Sequence, residues 1–141
     1  MGTGFKGGTT TQHSISVNIS SLKSNYSYSN GYFGVQGQGR SHTRNIISKN
    51  PVETAKSFYN TAAKGGIETS RGNLKYSKMA DGTIISYRQV SKSDGTSVVE
   101  INIRYSTNAG GLKYQKIHFT EGEKWWKLLI WDLILTSSSR W

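Results

Sequence analysis

The sequence predicts an α+β domain in which one amphipathic helix packs on a small, twisted antiparallel β-sheet. Two observations support this prediction. Three runs of alternating apolar and polar residues occupy residues 81–119, and short segments rich in Gly, Asn, Asp and Ser separate them, which is typical of a strand meander. A single stretch with helical spacing of its apolar residues precedes them. A helix followed by a meander gives two layers with one sheet face buried.

Composition limits the functions that the chain can have. Its 141 residues suffice for one domain, and its net charge of +10 favours a polyanionic partner, nucleic acid first and an anionic membrane second, over mere solubility. The absence of cysteine excludes disulfides, zinc–thiolate sites and cysteine nucleophiles. The sequence has neither a phosphate-binding glycine loop nor an HExxH motif, so we expect no metal and no cofactor.

We divide the chain into three parts. Residues 1–40 are rich in Gly, Ser, Thr, Asn and Tyr and predict a loosely ordered lead-in, with residues 15–22 as a candidate edge strand. Residues 41–124 form the folded domain. Residues 125–141 predict a Trp-rich apolar extension, too short for the about 20 apolar residues that span a bilayer. Four aromatic residues of the lead-in are expected to cover the core rather than stack on bases: Tyr26, Tyr28, Tyr32 and Phe33.

The helix is predicted to begin at the only proline of the chain. Asn50 is a favourable cap residue, Pro51 suits the first helical position, and Glu53 stands in the position of a capping box. Apolar residues then recur at helical spacing as far as Ala62, and the glycines at 65–66 end the helix. The polar segment before the helix predicts a turn.

Side chains alternate across a strand, so the meander has a core face and an outward face. The core face receives the apolar side chains: Ile85, Tyr87, Val99, Ile101, Ile103, Ile117 and Phe119. The outward face receives the polar ones: Ser86, Arg88, Glu100, Asn102, Arg104, Tyr114, Lys116 and His118. A further strand over residues 74–79 pairs with the first run through a turn at 80–82. Because the helix covers the core face, the outward face stays open to a ligand.

The outward face carries the groups that metal-free cleavage of RNA requires. Cleavage through the ribose 2'-OH needs a base for that hydroxyl, an acid for the leaving 5'-oxygen and cations for the charge on phosphorus. His118 can exchange a proton near neutral pH, and Arg88 can grip two phosphate oxygens. We expect the two residues to be antiparallel neighbours on this face and to share a phosphate. Glu100 is either the base or an ion-pair partner of Arg88. His42 is a second acid–base candidate or a residue of the turn before the helix.

Cations without an acid–base role are expected to hold RNA phosphates: Lys116, Lys113, Lys78, Arg71 and Arg44. Two other classes of function stay open. A non-catalytic RNA-binding module needs only charge and aromatic side chains. A membrane-active toxin would use the Trp-rich extension.

An ordered series of segments resembles the C-terminal toxin domains of bacterial polymorphic toxins, which contact-dependent-inhibition and LXG-type proteins deliver. The segments are HTRNI (42–46), NPVETAKSFY (50–59), DGTIISYR (81–88), SDGTSVVEINI (93–103) and KYQKIHF (113–119). The resemblance implies a barnase/EndoU/colicin/RelE-like ribonuclease, often one that acts on tRNA, and a cognate immunity protein or antitoxin. It also implies delivery from a producer cell within a larger secreted effector, and action in the cytoplasm of the target bacterium. The Trp-rich extension departs from the pattern, because such domains usually stop soon after the KYQKIHF segment.

Overall fold

A computed structural model of the chain describes residues 13–91 and 94–121. In these ranges, two helices accompany a seven-stranded mixed sheet and a separate two-stranded ribbon. The chain is therefore α+β with a helix packed on the sheet, as the sequence predicts. The Trp-rich extension assigned to residues 125–141 lies outside the described residues.

The helices are α1 (Ile15–Asn25) and α2 (Pro51–Ala62), and within the described residues no helix has the length and apolar character needed to cross a membrane. The strands are β1 (Tyr28–Ser29), β2 (Tyr32–Phe33), β3 (Val35–Gln36), β4 (Thr43–Ile47), β5 (Ile67–Arg71), β6 (Leu74–Lys78), β7 (Ile84–Arg88), β8 (Ser97–Asn102) and β9 (Gln115–Thr120). The sheet has the order β3-β4-β9-β8-β7-β6-β5, and β1 pairs with β2. All neighbouring strands are antiparallel except β4 and β9, which are parallel.

Helix α1 corrects the expectation of an edge strand at residues 15–22 within a loosely ordered lead-in. The alternation of Ile15, Val17 and Ile19 suits a strand, but Val17 is 60% exposed. The buried apolar residues instead follow the helical spacing of Ile15, Ile19 and Leu22. Both periods fit this short stretch, so the pattern alone did not decide between them.

Two polar side chains hold α1 in place. Asp81 is buried and accepts a hydrogen bond from the backbone N–H of Ile15 at 2.9 Å, in the first turn of the helix. Asn18 donates to the backbone oxygens of Ala62 at 2.8 Å and Lys64 at 2.9 Å, where α2 ends. Since the first N–H groups of a helix lack partners within it, the carboxylate satisfies a donor that burial would otherwise leave unpaired.

Strand β4 corrects the turn predicted before α2, and it changes the role of Arg44. Ile46 is buried, and Arg44 also lies on the core side, with 8% of its surface exposed. The guanidinium donates to the backbone oxygens of Phe33 at 3.0 Å, Ser41 at 3.0 Å and Gly34 at 2.9 Å. Because each nitrogen of the guanidinium donates one of these bonds and the residue is buried, we assign Arg44 to the fold and not to RNA binding.

Helix α2 packs on the core face of β7, β8 and β9. The ring of Phe58 on α2 lies 5.0 Å from that of Tyr26, 5.2 Å from Phe33 and 5.7 Å from Phe119, measured between centroids. The predicted core-face residues of the meander are buried or partly buried in this layer. Tyr26 and Phe33 therefore cover the core, as predicted, and the helices leave the outward face of β7, β8 and β9 uncovered in the described part of the chain.

Candidate active site

A groove of about 330 Å³ runs over the outward face of the sheet. Its lining contains three predicted site residues and consists of Leu74, Ser86, Arg88, Ser91, Val98, Glu100 and Lys116. The strand register places Glu100 between Ser86 on β7 and Lys116 on β9. His118 stands opposite the lining residue Val98 but is not itself one of the residues that line the groove.

The order of the strands separates Arg88 from His118, which we expected to be neighbours. Val98 pairs with both residues and stands between them. Since adjacent strands lie about 4.8 Å apart, the backbones of Arg88 and His118 are about 10 Å apart. Glu100 lies diagonally across from each of them, a relation that brings side chains within about 7–8 Å. Glu100 is therefore at the centre of the site, and the other groups surround it.

The burial pattern of β8 explains why Glu100 faces outward. Its neighbours Val99 and Ile101 are fully buried under α2, so alternation turns the intervening carboxylate to the groove. Among the described residues, neither Arg88 nor Lys116 forms an ion pair with this carboxylate. The ion pair between Glu100 and Arg88, one of the two alternatives for Glu100, is therefore not formed within the described residues.

Tyr114 joins Glu100 to the second histidine candidate. The Tyr114 hydroxyl donates to Oε2 of Glu100 at 2.5 Å. Burial, together with this hydrogen bond and the charge of Glu100, raises the pKa of Tyr114 to about 12, so the hydroxyl keeps its proton at neutral pH. The ring of His42 lies 5.2 Å from the Tyr114 ring. Tyr114 therefore contacts both His42 and Glu100, and His42 stands at the edge of the site.

His118 is mostly buried, and the loop between β7 and β8 contacts its ring. Nδ1 of His118 lies 3.2 Å from Oδ2 of Asp94 and 2.9 Å from Oγ1 of Thr96. Burial alone would raise the pKa of Asp94, but hydrogen bonds from Ser91 and Thr96 and the nearby imidazole lower it to about 2. Asp94 is consequently ionised at neutral pH.

Asp94, Thr96 and Tyr114 are site residues that sequence reasoning did not identify. The sequence offered only a turn composition around Asp94 and an outward-facing position for Tyr114. Which neighbour a turn carboxylate faces depends on how the loop closes, and composition does not give that information.

The predicted phosphate-binding cations occupy different places. Lys116 lines the groove. Arg71 and Lys78 are exposed on the outward face of β5 and β6, since Arg71 pairs with Leu74 and Lys78 pairs with Ile84. Lys113 lies beside the two-stranded ribbon instead, with Nζ 5.4 Å from the centre of the Tyr32 ring.

Within residues 13–91 and 94–121, no three His, Asp or Glu side chains come together as a set of metal ligands. Comparisons of the chain with protein-family models, with curated protein sequences and with solved structures found no match. Its function is therefore inferred from the chemistry of this site.

Proposed function

We propose that this protein is a metal-independent endoribonuclease that cleaves RNA through the ribose 2'-OH. The observation that carries the proposal is the central position of Glu100 among groups of complementary chemistry. His118 lies diagonally across from it, Lys116 stands beside it, and Arg88 is diagonal on the other strand. A carboxylate and two cations thus line one groove large enough for a nucleotide phosphate, and an imidazole stands opposite the lining residue Val98.

In the proposed reaction, Glu100 and His118 act on opposite sides of phosphorus. Glu100 takes the proton of the 2'-OH, and the 2'-oxygen forms a bond to phosphorus. The bond from phosphorus to the 5'-oxygen breaks, and protonated His118 gives its proton to that oxygen. The products are a 2',3'-cyclic phosphate and a free 5'-OH. The diagonal relation of the two side chains suits an in-line displacement, in which the attacking and leaving oxygens are opposite each other.

Arg88 and Lys116 supply the electrostatic part of the proposed reaction. Negative charge grows on the equatorial oxygens of the phosphorane, and fixed cations that face them stabilise it. Arg88 can contact two oxygens with its planar guanidinium, whereas Lys116 acts as a point charge. Neither cation pairs with Glu100 within the described residues, so both stay available to the phosphate.

The resemblance to polymorphic-toxin domains extends the proposal to a biological setting. It suggests an RNA target that is often tRNA, entry into a target bacterium as part of a larger secreted effector, and a cognate immunity protein or antitoxin. The net charge of +10 is consistent with a polyanionic substrate.

The proposal is tested by incubating the purified full chain with total tRNA in the presence of EDTA. We expect discrete fragments that end in a 2',3'-cyclic phosphate, and a loss of about a hundredfold or more in rate for Glu100→Gln. This variant keeps an oxygen that can accept the Tyr114 hydrogen bond, so it should stay folded.

A shifted but intact RNA band would instead indicate a non-catalytic binding module. Dye release from anionic vesicles, without RNA cleavage, would indicate a membrane-active protein. Exposed Glu53 on α2 provides the matched control, since Glu53→Gln makes the same chemical change away from the groove and should cleave at the parent rate.

A further inference from the structure

One carboxylate of the loop between β7 and β8 is fixed in orientation by the loop itself. Oδ1 of Asp94 accepts hydrogen bonds from the hydroxyl of Ser91 at 2.6 Å, the backbone N–H of Thr96 at 3.1 Å and the hydroxyl of Thr96 at 2.7 Å. The loop thus uses one oxygen of the carboxylate, and the other, Oδ2, faces Nδ1 of His118.

The hydroxyl of Thr96 adds a constraint on where the proton of His118 sits. A hydroxyl has one hydrogen, and Thr96 gives it to Oδ1 of Asp94. Its contact of 2.9 Å with Nδ1 of His118 must then use an oxygen lone pair. The ionised Asp94 carboxylate has only acceptor oxygens. Both partners of Nδ1 are therefore acceptors, and Nδ1 has to carry a proton.

We infer that Asp94 is a positioning residue, which together with Thr96 holds neutral His118 as the Nδ1–H tautomer and leaves Nε2 for the substrate. What Nε2 does there rests on the proposed function, whereas the tautomer itself does not. In the protonated ring, the hydrogen on Nε2 is the one free to be given away. The fixed carboxylate stabilises the imidazolium and keeps the ring from turning.

Other charged groups also stand around His118. Glu100 approaches diagonally from β8, Lys116 precedes it by two residues on β9, and Arg88 stands beyond Val98 on β7. Asn45, its partner on β4, is uncharged. The tautomer of the neutral ring depends on the partners of Nδ1 and not on the sum of these charges, so it is the property to measure.

The test is a long-range ¹⁵N–¹H correlation spectrum of the labelled full chain without RNA. The sequence has three histidines, and the signals of His118 are those lost in His118→Gln. We expect neutral His118 to carry its proton on Nδ1. Asp94→Asn should move the proton to Nε2, because the carboxamide keeps an oxygen for the loop and turns its NH₂ group to Nδ1. Thr96→Val should leave the proton on Nδ1, since Asp94 remains.

In the ribonuclease assay, Asp94→Asn should lower kcat by about a hundredfold or more, as a wrong tautomer does for a catalytic histidine. Glu53→Gln, which removes an exposed carboxylate on the helical layer, should change neither the tautomer nor kcat.

The two hypotheses can fail separately. An Nε2–H tautomer in the parent protein would overturn the positioning role even if RNA is cut. A switch of tautomer in Thr96→Val but not in Asp94→Asn would also overturn it. An Nδ1–H tautomer in a protein that cuts no RNA would support the positioning role and count against the proposed ribonuclease. If Asp94→Asn does not fold, the tautomer of His118 in the parent protein and in Thr96→Val still tests the positioning role, because both proteins are expected to carry the proton on Nδ1.

Discussion

Arg88 and His118 approach the groove from different strands, and their separation sets how they can cooperate. With Val98 between them, their backbones are about 10 Å apart, so the proposed reaction couples them through a phosphate above Val98 that both side chains contact. A shared substrate couples residues that make no direct contact. The two are therefore expected to act as one unit through the phosphate.

This coupling predicts non-additive kinetics. His118→Ala, Arg88→Ala and the double variant should lose RNA cleavage to a similar extent, each by about a hundredfold or more, because neither group completes the reaction without the other. None of the three should unfold, since neither side chain belongs to the apolar core. Single-turnover rates and circular dichroism check this prediction. A folded His118→Ala that cuts at nearly the parent rate would transfer the acid–base role to His42.

At the scale of secondary structure elements, Asp81 connects three parts of the chain. Its carboxylate accepts from the backbone of Ile15 in α1, from the hydroxyl of Thr83 beyond the turn and from the hydroxyl of Ser106 in the loop after β8. Burial would raise the pKa of Asp81, but these hydrogen bonds lower it overall. The folded state therefore favours the ionised carboxylate more than the unfolded state does.

The sign of this effect gives a prediction for stability. A carboxyl group whose pKa is lowered by folding contributes stability above the pKa of the unfolded state, and that contribution is lost as the pH falls through the folded-state value. Asp81→Asn should lower the free energy of unfolding by about 1–3 kcal/mol at neutral pH, because it weakens several buried hydrogen bonds. The difference from the parent should shrink in acid. Urea titrations at several pH values measure it, with Glu121→Gln, which changes an exposed carboxylate outside the helices and strands, as the control. A constant difference down to strongly acidic pH would refute the assignment.

Local patterns predicted the meander and α2 but not the N-terminal part of the sheet. The two faces were predictable because Val99 and Ile101 alternate with the polar Glu100 and Asn102. β4 was missed because it places the charged Arg44 on the core side, and its parallel pairing with β9 leaves no turn signal between the two strands. Such a long-range pairing depends on how the whole domain buries its apolar side chains. A local sequence pattern does not contain that information.

Helix α2 starts at the predicted residue, but the hydrogen bonds at its start are not the predicted ones. The helix begins at Pro51, as predicted, yet the side chain of Asn50 makes no cap hydrogen bond. Ser48 takes part instead, accepting from the backbone N–H of Asn50 at 3.0 Å and contacting the hydroxyl of Thr54 at 2.5 Å. In the same way, alternation predicted that His118 and Glu100 face outward but could not predict their partners. Those partners come from loops whose conformation depends on the rest of the fold.

Over the whole molecule, positive charge continues from the groove toward the β5 edge of the sheet. Arg71 on β5 belongs to the same row across the sheet as Arg88 and His118, and Lys78 on β6 shares their face. An RNA strand bound in the groove can therefore extend over these cations. Lys113 stands apart, beside the ribbon and over Tyr32. The effect of Lys113 on RNA binding therefore distinguishes RNA that binds along the outward face from RNA that is attracted by net charge alone.

The last prediction uses salt to trace this path. Each phosphate contact releases condensed counterions, so losing one contact should reduce the slope of log K against log salt concentration by about 1. Arg71→Ala and Lys78→Ala should weaken RNA binding modestly and flatten the slope, while Lys113→Ala should do so less. Lys56→Ala is the matched control, because it removes one exposed charge from α2, on the other layer of the fold. Fluorescence anisotropy with a labelled RNA at several salt concentrations gives the slopes. If all four substitutions reduce the slope equally, RNA binding depends on net charge alone. The outward face would then not be the binding surface.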